Sequence, residues 1–192
     1  MTMLVHTSTY VAAHERVAAL IEGWVDVNRA EIVERNSAIG RKIDAIWGDE
    51  QGKLPDGITD ASKISIEEVF EQLPSVLERL KFPIENGASD DRIDYDEDQR
   101  RTYIVVGGSI LARGLTLEGL MVSYFLRTAN QYDTLLQMGR WFGYRTLYED
   151  LPRIWMPEEL KLRFRALAAV EQEIRDDIEQ YRIRDLTPMD IA

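Results

Sequence analysis

Two segments in the second half of the chain carry residues that could do chemistry. The first runs Val106-Gly107-Gly108-Ser109-Ile110-Leu111-Ala112-Arg113-Gly114-Leu115-Thr116. An apolar run enters paired glycines, and an Arg-Gly pair follows. Glycines after a strand let the backbone approach a phosphate closely, and their N–H groups can cradle an anion. The carboxyl end of a parallel strand is also where α/β proteins place ligands. A plain tight turn with Arg113 as a surface charge uses the same residues. The segment is not a G-x-G-x-x-G and carries no Walker lysine, so spacing alone leaves both readings open.

The second segment, from Tyr132 to Arg145, sets Gln137, Arg140 and Arg145 beside Trp141, Phe142 and Tyr144. An arginine on a rigid helix end is always charged and can reach phosphate oxygens bidentately, as an arginine finger must. A salt-bridged structural arginine fits the same pattern. The aromatics could stack bases or pack a helix onto its sheet.

The surrounding elements must position these residues. Residues 3–8 read as a short buried strand ending in small polar groups. The chain opens almost directly on that strand, which points to a piece of a longer protein. Val17, Leu20, Ile21, Trp24, Val27, Ile32, Ile39, Ile43 and Ile46 recur at helical steps, with a break expected at Asn36-Ser37, where a second helix could be capped. Residues 48–63 read as a loop, 66–80 as a helix holding Pro74, and 82–85 as a strand. Residues 86–101 form a solvated acidic connection. Strands are expected at 102–106, 121–127 and 153–156, and a helix at 131–142. Pro157 opens a long helix with Leu160, Phe164, Leu167, Val170, Ile174, Ile178 and Tyr181 on one stripe. That stripe reads as a core face whose far end could dock a partner. Strands alternating with helices predict an α/β domain with a parallel sheet. Residues 1–192 are expected to form one domain, with 36–98 as a candidate helical insertion.

Composition narrows the function classes. The 192 residues are 45% hydrophobic and 30% charged, typical of a globular chain. No apolar run approaches the ~20 residues of a membrane span. There is no signal-peptide pattern, so a cytoplasmic address and no membrane partner are expected. With 0 Cys and 2 His, disulfides and cysteine-based zinc sites are excluded, and no metal site is expected. The net charge of -11 argues against tight autonomous DNA binding. Arg113, Arg127, Arg140 and Arg145 nonetheless fall close together, while acid dominates 85–98 and 171–179.

A resemblance now enters. Ala112-Arg113-Gly114-Leu115-Thr116-Leu117-Glu118-Gly119-Leu120 resembles motif V of superfamily-two helicases. Gln137-Met138-Gly139-Arg140, with Arg145 beyond, resembles motif VI. Val5-His6-Thr7-Ser8 sits where motif IV ends its strand, and all three follow the family's order. The block from Tyr103 to Trp155 is more similar still to the Z-one (Z1) domain family, known as an endonuclease-type domain of bacterial restriction and DNA-defence proteins, downstream of a P-loop ATPase half. The resemblance implies a RecA-like second motor domain of a DNA-dependent ATPase. Arg140 or Arg145 would reach ATP held by the upstream P-loop domain, with Gln137, Arg113, Gly114 and Thr116 at the same cleft. Thr7, Ser8, Gly108 and Ser109 would lie near the nucleic-acid backbone. The implied partners are that upstream domain, DNA and other restriction-system subunits.

Departures from the pattern are specific. One residue is missing between Gln137 and Gly139. The two arginines lie five apart, which on a helix sets them about 140° apart, so both serve one cleft only if the chain turns near Gly143. Thr116 stands where many helicases have Asp, and Gly108 where they often have Thr. No Walker A motif is present: Gly48-Asp49-Glu50-Gln51-Gly52-Lys53 is one residue short and continues with Leu54. ATP and magnesium would therefore be bound only together with an upstream P-loop domain. Two rival classes stand beside the motor: a non-catalytic RecA-like interaction module, and a nuclease built on Glu159-Leu160-Lys161 with Asp150 upstream. For the nuclease, Glu159 in a helix's first turn has an alternative role beside the helix dipole.

Overall fold

The structure, a computed structural model, describes residues 1–7, 10–53, 64–85, 101–108, 117, 119–126 and 151–184. Strand β1 (Thr2–His6) is the centre of the fold. Leu4 and Val5, neighbours in sequence, are both buried, so this strand is covered on both faces. It pairs in parallel with β4 (Thr102–Gly107) on one side and β5 (Leu120–Phe125) on the other. Beyond β5 lies β6 (Arg153–Trp155). Along the other side of β4 lie β2 (Leu80–Lys81) and β3 (Ile84–Glu85), one after the other in the same register. The result is a six-stranded parallel sheet with the order β2-β4-β1-β5-β6 and β3 beside β4. It is the expected α/β architecture, consistent with a RecA-like fold.

Register assigns the two faces. Val106, Val5, Tyr124 and Trp155 form one row across β4, β1, β5 and β6. Its inner members pack on Ala18 of helix α1 (Val11–Val33). On the opposite face Leu4, Tyr103, Val105 and Phe125 cluster with Leu117, Leu120, and Leu160 and Leu167 of helix α4 (Glu158–Arg184). One helix thus covers each face of the central strands.

The 23 residues of α1 span roughly 34 Å, whereas the five of β1 span roughly 17 Å. The helix starts at the carboxyl edge and overhangs the amino edge. There Val25 and Ile32 meet Leu77 of α3 (Ile66–Glu78), with Ile39 and Ile43 of α2 (Ala38–Gln51) packed against them. The expected break is observed: Ser37 caps α2 by accepting from the Gly40 N–H at 2.7 Å. Gly40 is required at this turn, because a Cβ there would stand 2.1 Å from the Glu34 carbonyl oxygen. Arg35 donates to Asp44 and Glu67, tying the turn to α3. The α3 start is a capping box of Ser65 and Glu68. Arg153 of β6 donates to Glu50 at the far end of α2. The 14-residue α2, roughly 21 Å long, thereby reaches from the α3 side to the opposite sheet edge.

Several expectations need correction. Leu80 leaves the helix and pairs in β2, because the parallel ladder with Thr102 takes its backbone. Strand β1 ends at His6 rather than Ser8, and β5 at Phe125 rather than Arg127. The helical periodicity of residues 17–46 overstates the core: Leu20, Trp24, Val27 and Ile46 are exposed. The stripe on α4 divides likewise. Leu160 and Leu167 are buried, while Val170, Ile174 and Ile178 are exposed, since the 27-residue helix outruns the strands it covers. The expected helix at 131–142 lies outside the described residues. The described residues of the stretch 36–98 form α2, α3, β2 and β3.

Candidate functional site

The carboxyl ends of the three central strands come level in one row: His6 pairs with Gly107 on one side and Phe125 on the other. The next residues, Thr7, Gly108 and Leu126, form the rim where a parallel sheet presents its ligand edge. Leu126 N–H donates to the His6 carbonyl at 2.9 Å, holding β5's exit against β1. Thr7 and Gly108, about a hundred residues apart in sequence, thus follow the ends of adjacent strands.

Thr7 and Gly108 are the two predicted site residues within the described set. The Thr7 hydroxyl oxygen is buried and has no hydrogen-bond partner among the described residues. Gly108 is buried. Ser8, Ser109, Arg113, Gly114, Thr116, Gln137, Arg140 and Arg145 lie outside the described residues. Helix α1 begins just past Thr7. Its cap residue Tyr10 makes no side-chain cap bond, and its first turn holds no acid. The positive end of the helix dipole therefore lies at the rim without a local counter-charge from that turn.

Sequence reasoning missed the packing beneath this rim. His6 is fully buried and stacks on Phe125, with ring centroids 4.7 Å apart and planes 7° from parallel. Phe164 of α4 meets Phe125 edge-on at 6.2 Å. His14, on α1, is buried too. In sequence His6 reads as part of the motif-IV-like stretch and the two histidines as too few for a metal site; neither reads as core. The i, i+2 alternation of Leu4 and His6 in a buried strand was the available signal.

Two other sequence stretches can be placed. Gly48 to Gln51 form the last turn of α2 rather than the start of the loop expected from residue 48, and Lys53 just beyond pairs with Asp49 at 2.7 Å and Glu50 at 2.8 Å. Glu159 and Lys161 diverge, because an i, i+2 pair lies about 200° apart around a helix. Glu159 pairs with Arg163 at 2.7 Å and Lys161 with Glu158 at 3.1 Å. Among the described residues no cluster of His, Asp and Glu could hold a metal ion. No described helix is long and apolar enough to cross a membrane.

Fold and edge together define the class: a parallel α/β domain whose three central strands end level at one carboxyl edge. The family follows from comparison. The Z1 domain family model matches residues 1–192, and the chain belongs to that family. No curated protein matches the chain. No solved structure matches it.

Proposed function

We propose that the chain is the second motor domain of a helicase-like, DNA-dependent ATPase or translocase of a restriction or DNA-defence system. Its work is to contact the nucleic-acid backbone and to complete an ATP site held by an upstream P-loop domain. The observation that carries this reading is the meeting of the Thr7 and Gly108 turns on adjacent parallel strands. A buried hydroxyl with no partner among the described residues, and a helix start whose cap residue gives no side-chain cap bond, stand at the same rim and suit a phosphate oxygen.

The one glycine-lysine stretch among the described residues closes a helix, and its lysine is ion-paired, which suits a chain that contributes only part of an ATP site. ATP and magnesium belong with the upstream domain, where the nucleotide supplies the phosphoryl group to be transferred. Arg140 or Arg145 would stabilise the charge that develops on it, with Gln137, Arg113, Gly114 and Thr116 lining the cleft. The roughly 200° between Glu159 and Lys161 around α4 supports the motor reading over a nuclease at that pair.

The test is DNA-stimulated ATP hydrolysis by the longer parent protein, as wild type and with Arg140→Ala or Arg145→Ala. Loss of the finger should cost about a thousandfold or more in turnover, with folding intact. Unchanged turnover in both variants would sink the motor reading and put the non-catalytic interaction module in its place.

A further inference from the structure

Helix α1 turns one line of side chains inward. Its buried residues His14, Ala18, Val25 and Ile32 lie within about 40° of one another around the helix axis. Ala18 packs on Val5 and Val106 in a cluster whose other members are all apolar. Val25 and Ile32 join Leu77 in a second apolar cluster. Only the first place on the line is polar: His14, 2% exposed. The sheet fixes what lies level with it. Helix α1 runs from the carboxyl edge to the amino edge, against the direction of β1 and β4. His14 stands four residues before Ala18, roughly 6 Å nearer the carboxyl edge. Thr7 and Gly108 stand two residues beyond Val5 and Val106, roughly 6.6 Å in the same direction. His14 is therefore level with Thr7 and Gly108, and the two-residue alternation carries Thr7 to the same face as Val5. The Thr7 hydroxyl oxygen is buried and has no hydrogen-bond partner among the described residues. Strand β4 brings no side chain to this end of the sheet, since it closes on Gly107 and Gly108.

We infer that His14 is a positioning residue for the phosphate contact at Thr7, an inference that rests on the backbone-binding role proposed for that rim. A threonine hydroxyl donates one hydrogen bond and still accepts, and an imidazole N–H donates. A phosphate oxygen arriving at the rim accepts from the Thr7 O–H. The Oγ1 lone pairs then accept from the His14 N–H. The two bonds in series fix the direction of the hydroxyl, and each polarises the other. An apolar residue at position 14 would pack as the rest of the line does and leave the hydroxyl undirected. Burying an imidazole on an otherwise apolar line costs free energy unless it is hydrogen-bonded, so packing alone gives no reason for a histidine here.

ATP hydrolysis by the longer parent protein, titrated with a single-stranded DNA oligonucleotide, tests this. His14→Leu should raise the DNA concentration for half-maximal stimulation about fivefold, the weight of one neutral hydrogen bond. The effect should fall there rather than on turnover at saturating DNA. His14→Asn or His14→Gln, whose amide N–H stands close to where Nδ1 or Nε2 does, should restore the wild-type value for the one that matches the donating nitrogen. In a Thr7→Val background, His14→Leu should add nothing, because the histidine acts through that hydroxyl. Effects of Thr7→Val and His14→Leu that add in full would overturn the inference, as would a leucine loss that neither amide restores. Thermal melts on the same variants supply the second measure: a loss that follows the melting temperature, whatever stands at position 7, marks a structural histidine and also overturns it. Stimulated hydrolysis indifferent to residue 14 sinks this inference and leaves the motor reading standing. A parent whose hydrolysis DNA does not stimulate sinks the motor reading, and the inference with it.

Discussion

Thr7 concentrates the functional question into one atom. Its hydroxyl is buried and has no hydrogen-bond partner among the described residues. An unsatisfied buried polar group costs about 1–3 kcal/mol. If the atom awaits a phosphate oxygen, Thr7→Val should leave the chain as stable as wild type, or about 1 kcal/mol more stable. The same change should lower DNA-stimulated ATP hydrolysis by the parent about tenfold, because a hydrogen bond to a charged group contributes ~1.5 kcal/mol or more. Thr7→Ser should retain activity. Thermal melts and turnover measured on one set of variants decide it. A Thr7→Val chain that loses stability and keeps full activity would show the hydroxyl to be structural. Next to Thr7 in sequence, His6 is fully buried and stacked on Phe125.

The elements fold as their local chemistry dictates, and their long-range ties are where sequence falls silent. Ser37 at a break in helical periodicity was legible, as were the apolar runs of β4 and β5, because each is written within a few residues. Strand β2 was not, since two residues form a strand only when β4 is already beside them. The exposure of Trp24 and Ile174 was hidden for a related reason: periodicity records which face is apolar, not whether anything covers it. At the site, the paired glycines of β4 were legible, whereas buried His6 and the nearness of Thr7 to Gly108 needed the topology. Glu50 shows how a tie between elements acts. Lys53 first, and Arg153 second, hold its carboxyl below the usual glutamate range. A carboxylate depressed in the folded state adds stability above its unfolded pKa of about 4.3, lost as pH falls through the lower folded value. The Glu50 and Arg153 side chains are 18% and 30% exposed, so the pair is partly shielded from solvent. Arg153→Met should cost about 1 kcal/mol at neutral pH. It should also make stability fall less steeply on acidification, with Lys53 keeping part of the effect. Urea melts from neutral pH down through the carboxylate range measure both, and an unaltered acid limb would mean that the α2–β6 tie carries no stability.

On the scale of the whole molecule, charge limits how the chain can meet DNA. A net charge of -11 gives no general attraction for a polyanion. The proposed contacts at Thr7, Ser8, Gly108 and Ser109 are hydroxyls and backbone N–H groups, which bind phosphate oxygens without releasing counterions. Affinity that comes from lysine and arginine falls with salt at a slope of about -0.7 per neutralised phosphate on single strands, or -0.9 on duplex. The isolated chain should therefore bind DNA weakly, and a plot of log affinity against log salt should be shallow, with a slope of about two or less. The longer parent should bind more tightly and lose affinity more steeply, because the remaining phosphates would be met by the upstream domain. Fluorescence anisotropy of labelled single-stranded and duplex DNA across a salt series, run on both proteins, separates the cases. A steep slope for the isolated chain, amounting to six or more phosphates, would place the binding surface on a basic stripe of this domain. The neutral rim at the ends of β1 and β4 would then be a bystander. A shallow slope that disappears in Thr7→Val would tie what affinity there is to that rim, and would make the division of labour electrostatic: geometry from this domain, charge from its neighbour.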